Sequence, residues 1–431
     1  MPESSVTTPA PPRLAPLHLA GFTTAFGAHG IAAALGAETE DIGWTLLAFG
    51  FTLALYDLAE VLLKPLFGAL SDRVGVRPII VGGLFAFAAF SVLGALVPGT
   101  LGLIVARFGQ GAAASAFSPA SSAAVARLTD DRTRGRYFGR YGSWKSLGYA
   151  LGPLLGAVLV VGGGIPALFW ALALLGVGAA LWVLLAVPTV PVLPRKRVTL
   201  ADLGRELTAP GFLVPTLVLA ATTGALAVAV GFLPLLGRRE GLGTVGSMAI
   251  VTVLAVASSV VQPLVGAAHD RGRLSVRRGA VGGLLLIAVG VGLAAISAHP
   301  VALLVTAVLV GAGVGAATPV AFSHLAASTP PERMGRTMGS AELGREFGDA
   351  GGPLVAGAVA TATVPAVGIG AVALLVLAAA AGALGGLRGT GARDDAGDAG
   401  DAADAADARG DAGDARDGQG DAGEDGRPAA P

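Results

Sequence analysis

Long apolar segments alternate along this chain with short interruptions that carry charged residues, glycine or proline. A helix that crosses a bilayer needs about 20 predominantly apolar residues. Division of the chain at its interruptions gives segments of roughly that length at residues 14–36, 44–66, 78–97, 101–126, 137–161, 166–187, 210–236, 244–268, 279–298, 301–327, 337–361 and 364–387. The pattern therefore predicts an all-α membrane protein with twelve transmembrane helices and both termini on one side of the membrane.

Composition supports a membrane protein and limits its chemistry. Of the 431 residues, 53% are hydrophobic and 13% are charged, against about 25% charged in a typical soluble domain. The N-terminus lacks the basic region and cleavage site of a signal peptide, so we expect the first apolar segment to remain as a span. The chain contains no cysteine and five histidines, scattered along the sequence. We therefore expect no disulfide, no thiol catalysis, no metal site and no cofactor.

Basic residues are distributed unequally between the two sets of predicted loops. One set contains only Arg238 and Arg239. The other set holds Arg73, Arg77, Arg127, Arg132, Arg134, Arg136, Arg195, Lys196, Arg197, Arg205, Arg271, Arg273, Arg277, Arg278 and Arg333. Since lysine and arginine are enriched in cytoplasmic loops, we expect the second set and both termini to be cytoplasmic. The predicted location is the cell membrane.

The interruptions also divide the chain into regions. We predict a cytoplasmic N-terminus (1–13), a six-helix bundle (14–187), a cytoplasmic linker rich in proline and basic residues (188–209), a second six-helix bundle (210–387) and a cytoplasmic tail (388–431). Residues 393–431 hold twelve acidic side chains and four arginines, a formal charge of −8. This low-complexity tail has no large apolar residues to bury, and we expect it to be disordered.

The two predicted bundles share an internal repeat. Residues 111–157 align with residues 311–357 at a constant offset of 200, and the matches include Pro119 with Pro319 and Pro153 with Pro353. A second sequence match aligns the segment around Asp72 with the segment around Asp270. Both copies lie at the same place in a half, which predicts two parallel, pseudo-symmetric halves with a cavity between them.

Three motifs in the first half carry a family resemblance. The segment from Gly68 to Arg77, GALSDRVGVR, resembles the signature loop of the major facilitator superfamily, and RFGQG from Arg107 resembles its fourth-helix motif. GYALGPLLG from Gly148 is similar to the fifth-helix motif of the superfamily's exporters, especially drug:proton antiporters. One departure is that Val76 precedes a single Arg77 where two basic residues usually stand. The resemblance implies the major facilitator fold and secondary transport by alternating access.

The repeated charged segments predict a gate at the cytoplasmic mouth. Acids and arginines there can pair with each other, with helix ends and with the other half, in one conformation and not in another. The predicted gate residues are Gly68, Asp72, Arg73, Arg77, Asp270 and Arg271. The alternative is that the arginines only set the topology.

Small residues recur at four-residue spacing in helix five. Gly148, Gly152 and Gly156 form one smooth face that another helix can approach closely, and Pro153 permits a bend. We predict a packing hinge between moving parts here. The alternative is ordinary small-residue packing.

Charged residues inside the predicted spans are costly and usually functional. The predicted spans contain five carboxylates but only four cations, Lys64, Arg107, Lys145 and Arg345. At least one carboxylate is therefore unpaired, and burial favours its neutral form. This count predicts a proton carrier. We rank Asp349 first, then Asp57 and Glu346, with Glu60, Glu342 and Arg345 as further members of the coupling site. We also expect an ion pair between Asp57 or Glu60 and Arg345. The alternative is that all these charges are structural ion pairs.

The sequence therefore predicts a proton-coupled exporter of small amphipathic compounds, powered by the proton gradient. The substrate cavity is expected to include His29, Arg107, Gln110 and His324, and Arg107 could equally select an anionic metabolite. The alternative within the same fold is a facilitator or proton symporter that imports a sugar or metabolite. No catalytic constellation suggests an enzyme or a membrane sensor, no basic patch suggests a nucleic-acid partner, and we expect a monomer in the lipid bilayer.

Overall fold

The computed structural model describes residues 14–37, 46–97, 99–193, 204–205 and 207–387. Every regular element in these ranges is helical. The predicted N-terminal segment (1–13), the acidic residues of the first loop, part of the linker and the predicted tail (388–431) lie outside the described residues.

Eleven long helical segments make up the described chain. They are α1 (Ala15–Ala37), α2 (Leu46–Val74), α3 (Val76–Leu96), α4 (Thr100–Leu128), the double segment Arg134–Ala186, α7 (Pro210–Arg239), α8 (Gly243–Asp270), α9 (Val276–Ile296), α10 (Pro300–Ser328), α11 (Met334–Ala362) and α12 (Pro365–Gly386). A 3-10 turn, Pro331–Arg333, precedes α11. The double segment is broken by non-helical backbone at Gly163 and at Gly164, where φ is 69°. We label its two parts α5 (134–162) and α6 (165–186), and the break falls in the gap predicted between helices five and six.

Seven of the described helical segments are long and apolar enough to cross a membrane, by length and composition alone. The double segment counts once in this number. Of the four others, α2 and α11 contain clustered charges, and α1 and α4 are rich in small and weakly polar residues. The count of twelve spans and the side of the termini stay predictions.

The signature segment after helix two is helical, which corrects the prediction that it forms a loop. α2 continues to Val74, so Gly68, Asp72 and Arg73 lie in its last two turns. The helix ends at Gly75, whose φ of 104° is a backbone conformation that glycine adopts without strain. In the second copy, α8 likewise continues to Asp270.

The same helix packing occurs twice. α1 packs on α5, α2 on α4, and α3 on α4 and α6; in the second copy α7 packs on α11, α8 on α10, and α9 on α10 and α12. The copies also contact each other through α10 with α5 and α11 with α4, and most extensively through α2 with α11 and α5 with α8. We call the last two contacts the α2–α11 seam and the α5–α8 seam. Under the repeat each seam is the counterpart of the other.

Candidate functional site

At one end of the bundle each seam is closed by a carboxylate that caps a helix. Asp270, at the end of α8, accepts hydrogen bonds from the backbone N–H groups of Gly135 (2.7 Å) and Arg136 (2.8 Å) at the start of α5. Asp72, near the end of α2, accepts from Gly335 (2.7 Å) and Arg336 (2.9 Å) at the start of α11. The first turn of a helix has unpaired N–H groups and a partial positive charge, so a carboxylate is stabilised there. We call this end of the bundle the capped end.

The three arginines of the predicted gate lie apart from these caps. Arg73 and Arg271 are exposed. The Arg77 guanidinium donates to the carbonyl oxygen of Leu184, at the end of α6 in the same half. In this conformation the seams are therefore closed by carboxylate-to-backbone bonds, while Arg77 ties α3 to α6.

A cavity of about 110 Å³ lies between the two copies, further from the capped end. Helices α1, α2, α4 and α5 of the first copy and α11 of the second copy surround it. Its lining residues are Thr24, Ala25, Ala28, His29, Asp57, Glu60, Lys64, Arg107, Lys145, Tyr149, Glu346 and Asp349. Seven of these twelve side chains are acidic or basic at neutral pH, and histidine makes an eighth titratable group. The cavity is therefore strongly polar, although the helices around it are apolar.

Lys64 joins the two copies inside the cavity. Its ammonium group pairs with Glu60 one turn earlier on α2, at 3.0 Å, and with Glu346 across the α2–α11 seam. The lysine is 1% exposed. Its ammonium group is therefore enclosed by protein and held by the two carboxylates. Because α2 continues ten residues beyond it, Lys64 lies deep in the bundle.

A second group of charges surrounds Glu342, whose side chain is fully buried. Its carboxylate pairs with Lys145 of α5 at 2.9 Å and with Arg345 of α11 at 3.5 Å. The expected ion pair between Asp57 or Glu60 and Arg345 is therefore wrong in this conformation, because Arg345 faces Glu342 and its Nε donates to Thr223 of α7 at 3.3 Å.

Two carboxylates in the cavity form no ion pair among the described residues. Asp57 is exposed to the cavity. Asp349 lies one turn beyond Glu346 on α11, and its buried Oδ1 has no hydrogen-bond partner. In the same cavity wall the ring of His29 lies against that of Tyr149, with centroids 4.0 Å apart. Among the predicted coupling residues, these two acids are the ones that face the cavity without a fixed partner.

The four predicted substrate residues are divided between different environments. His29 and Arg107 line the cavity, and the guanidinium of Arg107 lies 4.3 Å from the ring centre of Tyr56 and donates to the carbonyl oxygen of Gly27 at 3.2 Å. Gln110 instead donates to Ser91 on α3 at 2.8 Å. His324 of α10 is 9% exposed and is not part of the cavity wall.

The small-residue face of α5 packs on α1. A Cβ atom at Gly148 would lie 2.7 Å from the carbonyl oxygen of Phe22, and one at Gly156 would lie 2.8 Å from that of Gly30. Gly152 also lies against Gly30. The predicted hinge face, together with Pro153, therefore forms a contact inside the first copy and not a contact between the copies.

Residues that the sequence did not single out complete the site. Lys64 and Lys145 were counted as charges but not assigned to the coupling site, and Tyr56 and Tyr149 were not considered. The spacing of Glu60 and Lys64, one helical turn apart, was a usable signal. Among the described residues no group of three or more histidine or acidic side chains is placed to hold a metal ion.

The family is decided by a comparison with family models. The model of the Major Facilitator Superfamily matches residues 17–275 and 243–401 of this chain. The chain belongs to the major facilitator superfamily. It is thus a multi-pass membrane protein of a transporter superfamily that moves small molecules, and not an enzyme.

The chain is similar in sequence to known transport proteins and in fold to a solved transporter structure. The Multidrug resistance protein MdtH of Aeromonas salmonicida is 28% identical over 322 residues, 74% of this chain and 79% of that protein. The Inner membrane transport protein YajR of Escherichia coli is 36% identical over 137 residues, 31% of this chain and only 30% of that protein. The crystal structure of the human organic anion transporter MFSD10 (TETRAN) superposes with a TM-score of 0.69 at 20% identity, and covers 85% of this chain and 96% of that one.

Proposed function

We propose that this protein exports small amphipathic or drug-like compounds across the cell membrane in exchange for protons. The observation that carries the proposal is the pair of cavity carboxylates without an ion-pair partner, Asp57 and Asp349. A proton carrier has to be accessible from the cavity and able to change its protonation state, and a buried carboxylate without an ion-pair partner binds a proton more readily than a paired one.

Export is favoured over import by the relatives. MdtH is named a multidrug resistance protein, and its similarity extends over about three quarters of this chain. The fifth-helix motif from Gly148 to Gly156 resembles that of the exporters. One proton that moves down a potential of 100 mV supplies about 2.3 kcal/mol, which supports a roughly 50-fold gradient of a neutral substrate.

The test uses purified protein in proteoliposomes with an imposed pH gradient and a pH-sensitive dye on one side. Cationic and neutral amphipathic dyes and organic anions are added in turn, and proton and substrate movement are recorded together. We expect substrate-dependent proton movement opposite to the substrate in the wild type, and its loss in Asp349→Asn. Asp131→Asn is the matched control, because the Asp131 side chain is 85% exposed on the surface, and it should behave as the wild type.

Two outcomes would contradict the proposal. Substrate movement without proton movement would indicate a passive facilitator in which the buried charges only hold helices together. Proton and substrate movement in the same direction would indicate the symport alternative.

A further inference from the structure

The two seams have three-residue groups at equivalent positions, and only one of these two groups is charged. At the offset of 198 that aligns the ends of α2 and α8, Glu60 corresponds to Ser258 and Lys64 to Gln262. At the offset of 200 that aligns α11 with α5, Glu346 corresponds to Ser146. Each half thus contributes matched residues to a three-residue group in each seam.

The contacts within the two three-residue groups also follow the same pattern. In the α2–α11 seam Lys64 contacts Glu60 on its own helix and Glu346 on the facing helix. In the α5–α8 seam the Nε2 of Gln262 donates to Ser258 on its own helix at 3.0 Å and to Ser146 on the facing helix at 2.9 Å. We call the first the charged triad and the second the neutral triad. The neutral triad has no group that takes up a proton near neutral pH.

The charged triad loses its connection across the seam when a proton binds to Glu346, the member on the facing helix. Two carboxylates share one ammonium group, so the triad has a formal charge of −1 and one proton makes it neutral. If Glu346 takes that proton, Lys64 keeps its ion pair with Glu60 on the same helix. Removal of one partner usually leaves an uncompensated buried charge, but here the remaining pair compensates the lysine.

We propose that Lys64 is a coupling residue, and that proton uptake by the charged triad opens the α2–α11 seam while the α5–α8 seam keeps its hydrogen bonds. This inference rests on the proposed function, because it assigns the proton-driven movement to one of two equivalent contacts. The charged and titratable groups that face the triad are Asp57 on α2, His29 on α1, Arg107 on α4, Lys145 and Tyr149 on α5, and Glu342, Arg345 and Asp349 on α11.

The test measures the two seams separately in the full chain. Because the sequence contains no cysteine, spin labels can be placed on cysteines that replace Leu66 and Ser340 beside the α2–α11 seam. A second sample carries labels at the equivalent Leu264 and Arg140 beside the α5–α8 seam. Distances are recorded by double electron–electron resonance in lipid nanodiscs without substrate, at mildly alkaline and mildly acidic pH.

We expect acidification to increase the longer-distance population between Leu66 and Ser340 roughly tenfold relative to the shorter one, as expected for the loss of a hydrogen bond between charged groups. The distance between Leu264 and Arg140 should not change. Equal responses of both seams, or no response of the first, would overturn the proposal.

Variants separate a coupling role from a structural one. Glu346→Gln should hold the first pair of labels at its longer distance at every pH, and Lys64→Arg should keep the pH response. A response that persists in Glu346→Gln would overturn the proposal. If the seams do not respond but transport in proteoliposomes still moves protons, the inference fails alone. If the seam responds while transport moves no protons, the proposed function fails instead.

Discussion

At the scale of single residues, Glu342 has the most enclosed charge in the bundle. Its carboxylate receives Lys145 from the first half, Arg345 from its own helix and the hydroxyl of Ser122 from α4 at 3.3 Å. Both cations are buried away from water, and the Glu342 carboxylate is the counter-charge that they share. Glu342 is therefore better suited to hold α4, α5 and α11 together than to carry a proton, in contrast to Asp349, which lies two turns further along α11.

Glu342→Gln should destabilise the folded protein by about 3–5 kcal/mol, because it leaves two buried cations without a counter-charge. The measurement is thermal unfolding in detergent followed by the fluorescence of the four tryptophans. Asp131→Asn serves again as the exposed control. A second variant with Lys145→Gln in addition should recover part of the loss. An unchanged melting temperature in Glu342→Gln would contradict this assignment.

At the scale of helices, the two caps place the end of one helix against the start of another. Asp72 closes α2 onto α11, and Asp270 closes α8 onto α5. The geometry is the same at both sites because the sequence around them is repeated. The caps are hydrogen bonds to backbone groups, and they need glycine at 135 and 335, where a Cβ atom would lie 2.7 Å from Oδ1 of Asp270 and 2.8 Å from Oδ1 of Asp72.

Asp72→Ala or Asp270→Ala should each favour the conformation that is open at the capped end by about 1 kcal/mol, or roughly fivefold, the usual loss when a helix cap is replaced by alanine. The reporter is Thr318→Cys, since Thr318 is 7% exposed and lines a small pocket between the halves. Its reaction with a water-soluble thiol reagent should accelerate in both variants. Equal rates with and without the caps would contradict their role as a latch.

The sequence predicted the positions of helices well but their ends and rotations less well. Hydrophobic runs located the helical segments, and the motif residues Asp72 and Asp270 were recognised as a pair because they recur in the repeat. The end of helix two was predicted at residue 66, where the apolar run stops, whereas the helix continues to Val74. The partners of Glu342 and Arg345 could not be predicted, because a single sequence does not give the rotation of one helix against another.

At the scale of the whole molecule, the two halves meet through two equivalent seams, and transport by alternating access requires at least one of them to separate. The α5–α8 seam offers a position to test this. Ser143 and Ser259 form two hydrogen bonds across it. The Ser143 hydroxyl donates to the Ser259 carbonyl oxygen at 2.6 Å, and the Ser259 hydroxyl donates to the Ser143 carbonyl oxygen at 3.1 Å.

A disulfide between cysteines at these two positions should prevent the halves from separating at this seam. We expect Ser143→Cys with Ser259→Cys to form it on oxidation and to keep most transport activity, because the proposed movement separates the α2–α11 seam and leaves the α5–α8 seam closed. Each single cysteine variant is the control for the substitution itself. Loss of transport on oxidation, with recovery after reduction, would show that the α5–α8 seam must also separate.

The cavity between the halves has a size that limits what can occupy it in this conformation. Pockets that enclose drug-sized ligands have volumes of about 300–1,000 Å³, whereas this one has about 110 Å³ and is lined by charged groups. Such a space suits a few water molecules and a proton. With both seams closed at the capped end, this conformation therefore has no room for a drug-sized compound, and such a compound has to enter and leave in conformations that enlarge the cavity.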